Sequence, residues 1–559
     1  MGIHDQYILE IVAIGSVFLL SIPAEGSSLS QAERTSRYND IFNNPIVRED
    51  TTLPVKCGLP AISYAIEQER LLTPRMKTSL GVVLTRPVMQ KSITVGDFRV
   101  HYDTTGSNTP AMLNALGQRI PGTANEFADS VASIVNYVAD FETDGTLGYL
   151  SPLPVNASPY DIYIEELGNL YGFTTPETQL DTKPAGGTYS TYITIDNDFI
   201  FVRPDSNKGL PGMRVTLAHE FHHAVQLGKY AYWVNDRYFY EISAVWMEDV
   251  VFTEVNDYYE YLRSSQGHFR NPGVPFTSSQ LIMYSRGIWG HFVEKRFGRD
   301  AMRNTWVEMA AARPVQAIDL ALQGYGSNLR LAFAEWTLWN FFTSARSNPV
   351  LYYPEGENYP VIWQTTNAFA PPSITVGGSA SALSSQYFDI VSPQDTLTLA
   401  LANINAENQD PNATFTYAYQ LNANRINESY KETASGIFVK LEVPDPTNWY
   451  SWEIHKGVVG PAVAAGRPFP NPFRTNGNRS VYIPVNSSSL VTGTMSIFSV
   501  SMDLIYSATV ASVTPQPGNQ AFSWNGRTLD NTIAPTGMYI YLIDLPDQQL
   551  MGKFALIRE

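Results

Sequence analysis

The spacing of hydrophobic positions changes several times along the chain. FRVHYDTTG (98–106) alternates apolar and polar residues as a strand does, and EFADSVASIVNYVADF (126–141) repeats apolar residues every three to four positions, the period of one helix face. YDIYIEEL (160–167) and TYITIDNDFIFV (191–202) return to the strand pattern, which predicts an α+β opening. Residues 212–345 read as successive helices rich in Trp, Tyr and Ala, closing near FAEWTLWNFFTSARS. Beyond Pro349, short alternating strands such as TLTLALANI and IFVKLEV are separated by Asn, Pro, Gly and Ser, and a second boundary falls at VVGPAVAAGRPFPNP. That texture predicts two β-sandwich modules.

Upstream, residues 27–95 mix polar stretches with one helical piece, AISYAIEQERLL, and form either a propeptide or an N-terminal extension. The apolar run IVAIGSVFLLSIPA (11–24) is too short to span a bilayer comfortably and is followed by small residues, so residues 1–26 are expected to be a secretory signal. No later segment reads as transmembrane. The expected order is signal 1–26, extension 27–95, α+β domain 96–350, and β-sandwiches at 351–460 and 466–559.

Charge narrows the choice of partners. The 37 basic and 53 acidic residues give a net charge of −16, which repels nucleic acid and anionic membrane. A single cysteine, Cys57, excludes an intramolecular disulfide framework, so an exported form must rely on core size or on metal.

The chemistry concentrates in TLAHEFHHAVQ (216–226), which holds three of the chain's eight histidines. On a helix His219 and His223 lie at i and i+4, so both imidazoles face one tetrahedral zinc while Glu220 sits beside it. Eight histidines in 559 residues yield roughly 559 × (8/559)², or about 0.1, such pairs by chance, fewer still with an acidic neighbour. His222 is outside that spacing and reads as a neighbour rather than a ligand. A catalytic zinc takes three protein donors and keeps one position open. Glu241, in YEISAVWMED (240–249), is the expected third donor: the intervening residues suffice for one helix to end near Gly228 and a second to return antiparallel. Glu241, Ala244, Val245 and Glu248 then share a face, and Glu248 is expected to hydrogen-bond a ligating histidine.

These residues resemble the gluzincin metallopeptidases, most closely the aminopeptidase N branch, whose glutamate ligand opens a segment of the type E-G-x-A-x-[YW]-x-E. Here EISAVWME keeps all but the glycine, replaced by Ile242. The branch's Y-x-[KR]-G is matched by YSRG (284–287), which implies Tyr284 as oxyanion donor. HYDTTG, IDNDF and HEFHHAVQ also resemble stretches of a group of secreted bacterial metalloproteases, over roughly residues 96–350. The resemblance implies an α+β gluzincin-like catalytic domain, a Zn2+ cofactor, Glu220 as general base, and a protein or peptide substrate. No G-x-M-E-N segment occurs, which favours endopeptidase over exopeptidase action. TYITIDNDFIFV is a candidate edge strand for pairing with extended substrate. PFPNPFRTNGNRSVYIPV, GTMSIFSVSMDLIYS and AFSWNGRTLDNTIAPTGMYIYLI resemble the sorting domains of type IX secretion cargo and the related FlgD-like immunoglobulin fold. That implies type IX secretion machinery as a partner and a secreted or surface-attached bacterial protein. The rival expectation is a non-catalytic surface protein with a structural or vestigial zinc, its β modules binding glycan or protein.

Overall fold

The computed structural model describes residues 29–43, 53–143, 145–153, 159–182 and 186–368, the strands and a turn between 375 and 457, and 468–558 apart from short loops. The expected signal (1–26) and the linker at 458–467 lie outside the described residues. The chain divides into two units, one of Met1–Asn367 with Gly378–Ile390 and Asn403–Trp452, the other of Ala368–Gly377, Val391–Ala402 and Glu453–Glu559. No helix among the described residues is long and apolar enough to cross a membrane.

The first unit is built on a five-stranded sheet of β1 (Lys91–Val95), β2 (Phe98–Tyr102), β3 (Tyr160–Glu165), β4 (Gly172–Asp181) and β5 (Thr188–Asp196), in the order β1-β2-β3-β5-β4. β2, β3 and β5 run parallel, while β1 and β4 are antiparallel edges. The helix predicted at 126–141 is α4 (Ala124–Glu142), and it makes the crossover from β2 to β3. Its buried positions Phe127, Ala128, Val131, Ala132, Val135, Val138 and Ala139 follow the three- and four-residue spacing of a face that closes on the sheet.

Two readings change here. TYITIDNDFIFV falls on β5, which pairs with β3 on one side and β4 on the other, so it is an interior strand and cannot receive substrate. The edge is β4, GFTTPETQLD, whose pattern was masked by Pro176 and acidic residues; the ladder breaks its register after Pro176, as edge strands carrying proline do. The hydrophobic core of this unit also continues past Pro349 through Tyr353, Tyr359 and Ile362 to Leu383 and Tyr387.

Upstream of β1 lie α1 (Gln31–Phe42), α2 (Leu59–Glu67) and α3 (Pro74–Val83). They enclose a small core of their own, with Tyr38, Phe42, Ile62, Leu80 and Val83 packed against Leu170 and Phe173 at the outer edge of β4. Downstream, α5 (Leu210–Val225) and α6 (Arg237–Val251) are buried on nearly every face, the condition of central helices. α7 (Tyr259–Arg263), α8 (Ile288–Phe297), α9 (Asp300–Glu308), α10 (Pro314–Gln323) and α11 (Leu329–Trp339) complete the helical layer around Trp246, Trp289, Trp306 and Trp336. Gly290 brings α8 onto the Trp246 indole, where a Cβ would collide.

In the second unit, strands Phe473–Thr475, Gln549–Arg558, Gly537–Asp544, Thr492–Ser499 and Leu504–Ala511 form one sheet, and Val481–Val485, Asn519–Trp524 and Val513–Gln516 form another. Both sheets contribute to one core containing Phe473, Ile483, Ile497, Phe522, Trp524 and Phe554. The WNG turn closes on itself: Gly526 takes a φ of +81°, and the Trp524 indole N–H donates to the Arg527 carbonyl at 2.9 Å.

Candidate metal centre

The histidines of α5 are not on a wet face. His219, His222 and His223 are each at most 1% exposed, which makes every ring nitrogen a group that must be satisfied from within. α5 ends in a π-helical turn, Gln226–Tyr230, and α6 returns against it. Ala244 is fully buried in α6, consistent with the close approach of the two helices expected from its size.

His219 Nδ1 donates to Glu248 Oε1 at 2.7 Å, and His223 Nδ1 donates to Gln226 Oε1 at 2.7 Å. With both Nδ1 atoms tied, both Nε2 atoms turn to the same carboxylate: His219 Nε2 is 3.0 Å from Glu241 Oε2, and His223 Nε2 is 3.2 Å from Glu241 Oε1. The second pair makes no hydrogen bond, so two fully buried polar atoms face one another unsatisfied. A cation shared by these atoms would satisfy both. Burial disfavours a charged His219, yet Glu241 and Glu248 outweigh it and push it up to about 10. Burial likewise raises the Glu241 carboxyl, and the neighbouring His223 and His219 overcome it to hold it at about 2.

Glu220 stands beside these donors. Thr174 on β4 donates its hydroxyl to Glu220 Oε2 at 2.8 Å, fixing one oxygen, while Oε1 has no hydrogen-bond partner. Burial raises the Glu220 carboxyl above its ordinary range, partly opposed by His219 and His223. Gly172 makes this closeness of β4 and α5 possible, since a Cβ there would lie 2.9 Å from the Thr194 carbonyl oxygen and 3.3 Å from Glu220 Cγ.

Tyr284 lies in the 3-10 turn Leu281–Gly287, where burial first, then the charges of Glu241 and Cys57, push its hydroxyl well above the usual range. Arg286 secures that turn by donating to the carbonyls of Val274 (2.6 Å), Pro275 (2.6 Å) and Phe276 (3.0 Å). Gly287 leaves room for Val245, which a Cβ would approach to 2.6 Å. The basic and glycine positions of YSRG therefore hold Tyr284 in place.

His222 points elsewhere. Its Nδ1 pairs with Glu142 of α4 at 2.5 Å and its Nε2 with Ser243 at 3.3 Å, and burial lowers His222 while raising the Glu142 carboxyl. Three participants escaped the sequence reading. Gln226 carried a weak signal in its three-residue spacing from His223, and Thr174 carried none because its strand was not recognised. The third is Cys57, whose Sγ lies with ligand atoms of His219, His223 and Glu241 in a group all within 4.8 Å of one another. Donors of a tetrahedral zinc sit roughly 3.3–3.8 Å apart, so a modest contraction fits this set to the ion.

No family model and no curated protein matches the chain. Solved structures that align with part of it include PorZ, an essential bacterial surface component of the type-IX secretion system of Porphyromonas gingivalis, at 19% identity over 19% of this chain and 14% of that one, with a TM-score of 0.14. Dimeric latent PorU from the same organism aligns at 14% identity over 30% of this chain and 16% of that one, with a TM-score of 0.15. The chain thus spans less than a fifth of the length of either structure.

Proposed function

We propose that this protein is a zinc-dependent metallopeptidase of gluzincin type that cleaves within polypeptide chains. The observation that carries the reading is the pair of inward-facing Nε2 atoms of His219 and His223 meeting Glu241, with Glu220 held alongside by Thr174. Zinc at such a site supplies Lewis-acid polarisation of a scissile carbonyl and acidifies a water. Glu220, with its raised carboxyl, accepts the proton of the attacking water through Oε1 and delivers it to the leaving amine. Thr174 keeps the other oxygen from rotating, and Tyr284 donates its phenolic proton to the developing oxyanion. Glu248 and Gln226 hold the two imidazoles in the tautomer that leaves Nε2 free to ligate.

A second reading has its own support: a fourth donor, Cys57, is characteristic of a closed structural zinc in a non-catalytic protein. Such a site has no use for a carboxylate positioned at Glu220. The test is Glu220→Gln in the active protein. It should retain about one zinc per chain and lose about 10²- to 10⁴-fold in peptide hydrolysis. Activity within a few-fold of the parent protein would leave the structural reading standing.

The sequence resemblance of residues 466–559, together with their self-contained core, supports a sorting function in type IX secretion and hence a secreted or surface location.

A further inference from the structure

The reacting groups just described are all buried: Glu220, His223 and Glu241 are 0% exposed, His219 1% and Tyr284 7%. A peptidase in this state cannot meet a polypeptide. What closes the site is the stretch Val55–Leu59. Val55 bridges to Leu170, its N–H donates to the Asn169 carbonyl at 2.8 Å, and its own carbonyl accepts from Tyr171 N–H at 3.1 Å. Gly58 N–H then donates to the Gly172 carbonyl at 2.9 Å. Residues 55–58 therefore pair with the chain at 169–172 that leads into β4 and ends at its first residue, two positions before Thr174, and take up backbone groups there that an extended substrate could otherwise use. Gly58 is required for this fit, because a Cβ would lie 2.7 Å from Phe42 Cε1 and 2.8 Å from Phe173 Cβ.

Between Val55 and Gly58 two side chains point inward. Lys56 Nζ is buried 2.7 Å from Glu248 Oε2 and 2.5 Å from Asp257 Oδ2, and so is anchored on the carboxylate that supports His219. Cys57, 2% exposed, places its sulfur with His219, His223 and Glu241, and receives the Leu59 backbone N–H at 3.3 Å from the first turn of α2. Glu220 Oε1, His223 Nε2 and Glu241 Oε1 are buried around it without hydrogen-bond partners. A soft sulfur donor at the centre of two imidazoles and a carboxylate completes a tetrahedral set.

We propose that Cys57 is the fourth donor to this metal site, and that the segment carrying it, α1 to α3, is an inhibitory domain that keeps the peptidase latent until it is removed. This rests on the metallopeptidase reading and deepens it. Cys57 and Leu59 pack into the main core, and α1 to α3 share a second small core with Leu167, Leu170 and Phe173, but none of the three other donors nor Glu220 lies on this segment, so its departure leaves them on their own elements. The connection from α3 to β1 offers a place for the cut: Val88 is 73% exposed, two residues after Arg86 and three before β1. Hydrolysis of one peptide bond there consumes one water and yields a carboxylate and an ammonium. The freed segment then carries Lys56 and Cys57 away from the site.

The test uses the full chain loaded with cobalt(II) in place of zinc. A thiolate donor gives a sulfur-to-cobalt charge-transfer band in the near ultraviolet, expected in the parent protein and lost in Cys57→Ser while about one cobalt per chain is retained. The zinc-loaded Cys57→Ser protein should hydrolyse casein at least tenfold faster than the uncut parent, and cutting the parent near Val88 should raise its activity to the same level. Cobalt bound without the band overturns the assignment of Cys57 but leaves the metal site intact. No cobalt bound at all overturns both. A band that disappears in Cys57→Ser, with casein untouched by the variant and by the cut protein, overturns latency and returns the site to a structural role.

Discussion

At the scale of single residues, the centre separates donors from the groups that aim them. Glu241 and Glu248 stand seven residues apart on one face of α6 and both reach His219, at Nε2 and Nδ1 respectively. Only Glu241 also faces His223. Their loss should therefore differ in kind. Glu241→Ala removes a donor and should empty the site. Glu248→Ala removes the acceptor that fixes the His219 tautomer and should weaken zinc about 10- to 100-fold. Competition with a chelator of known affinity measures both, and the reverse ranking would exchange the two roles. Lys56 makes Glu248 a shared group: the carboxylate that meets His219 also anchors the N-terminal segment proposed above as inhibitory.

At the scale of elements, α5 is held from two sides. One side carries the metal set; on the other, His222 ties the helix to Glu142 at the end of α4. Burial raises the Glu142 carboxyl well above its ordinary range, so the folded state keeps a proton that the unfolded chain gives up near pH 4.3. The sign follows from proton counting. Burial also lowers His222, so between the two unfolded values, near 4.3 and 6.5, the histidine proton given up on folding offsets the one Glu142 keeps; above about pH 6.5 the folded state binds more, and stability falls as pH rises toward the folded Glu142 value. Glu142→Gln keeps a neutral donor in the same place, and should preserve the fold while making its stability less dependent on pH in that range. Glu142→Leu leaves His222 Nδ1 buried without a partner, which costs about 1–3 kcal/mol. Thermal melts at several pH values read both, and zinc content should stay unchanged in each variant because His222 is not a donor. A loss of zinc in Glu142→Gln would make this pair part of the metal site.

Element-scale packing also bears on the proposed substrate site. Placing β5 inside the sheet makes β4 the edge strand next to Glu220, and residues 55–58 pair with the chain at 169–172 where that strand begins. Gly172, opening β4, and Gly58, at the start of α2, are each needed for close approach.

At the scale of the whole molecule, the two units have separate cores. Residues 466–559 carry the whole of one core, so deleting them should leave zinc content and the proposed rate of peptide hydrolysis after processing unchanged. In the native host the truncated protein should accumulate in the periplasm, and the same residues fused to a periplasmic reporter should carry it outward. Continued export of the truncated protein, with loss only of its hold on a surface or substrate, would assign the unit to binding.

The sequence by itself determined the local features. Helical spacing put His219, Glu220 and His223 together, and the pattern of YEISAVWMED put Glu241 and Glu248 on one face, because i, i+3, i+4 and i+7 relations are fixed by the helix itself. It also marked α4, β2, β3, β5 and the helical stretch from 212 onward, whose apolar periods are regular. Tertiary structure alone decided which strand is the edge, since strand order depends on pairings between residues far apart in the chain and leaves no periodic trace. It alone brought Thr174 to Glu220, 46 residues on, and gave His222 its partner Glu142, 80 residues back. Cys57 is the clearest case. As one cysteine in 559 residues it has no spacing to read, and only the packing of the N-terminal segment against the chain that leads into β4 places its sulfur beside His219, His223 and Glu241.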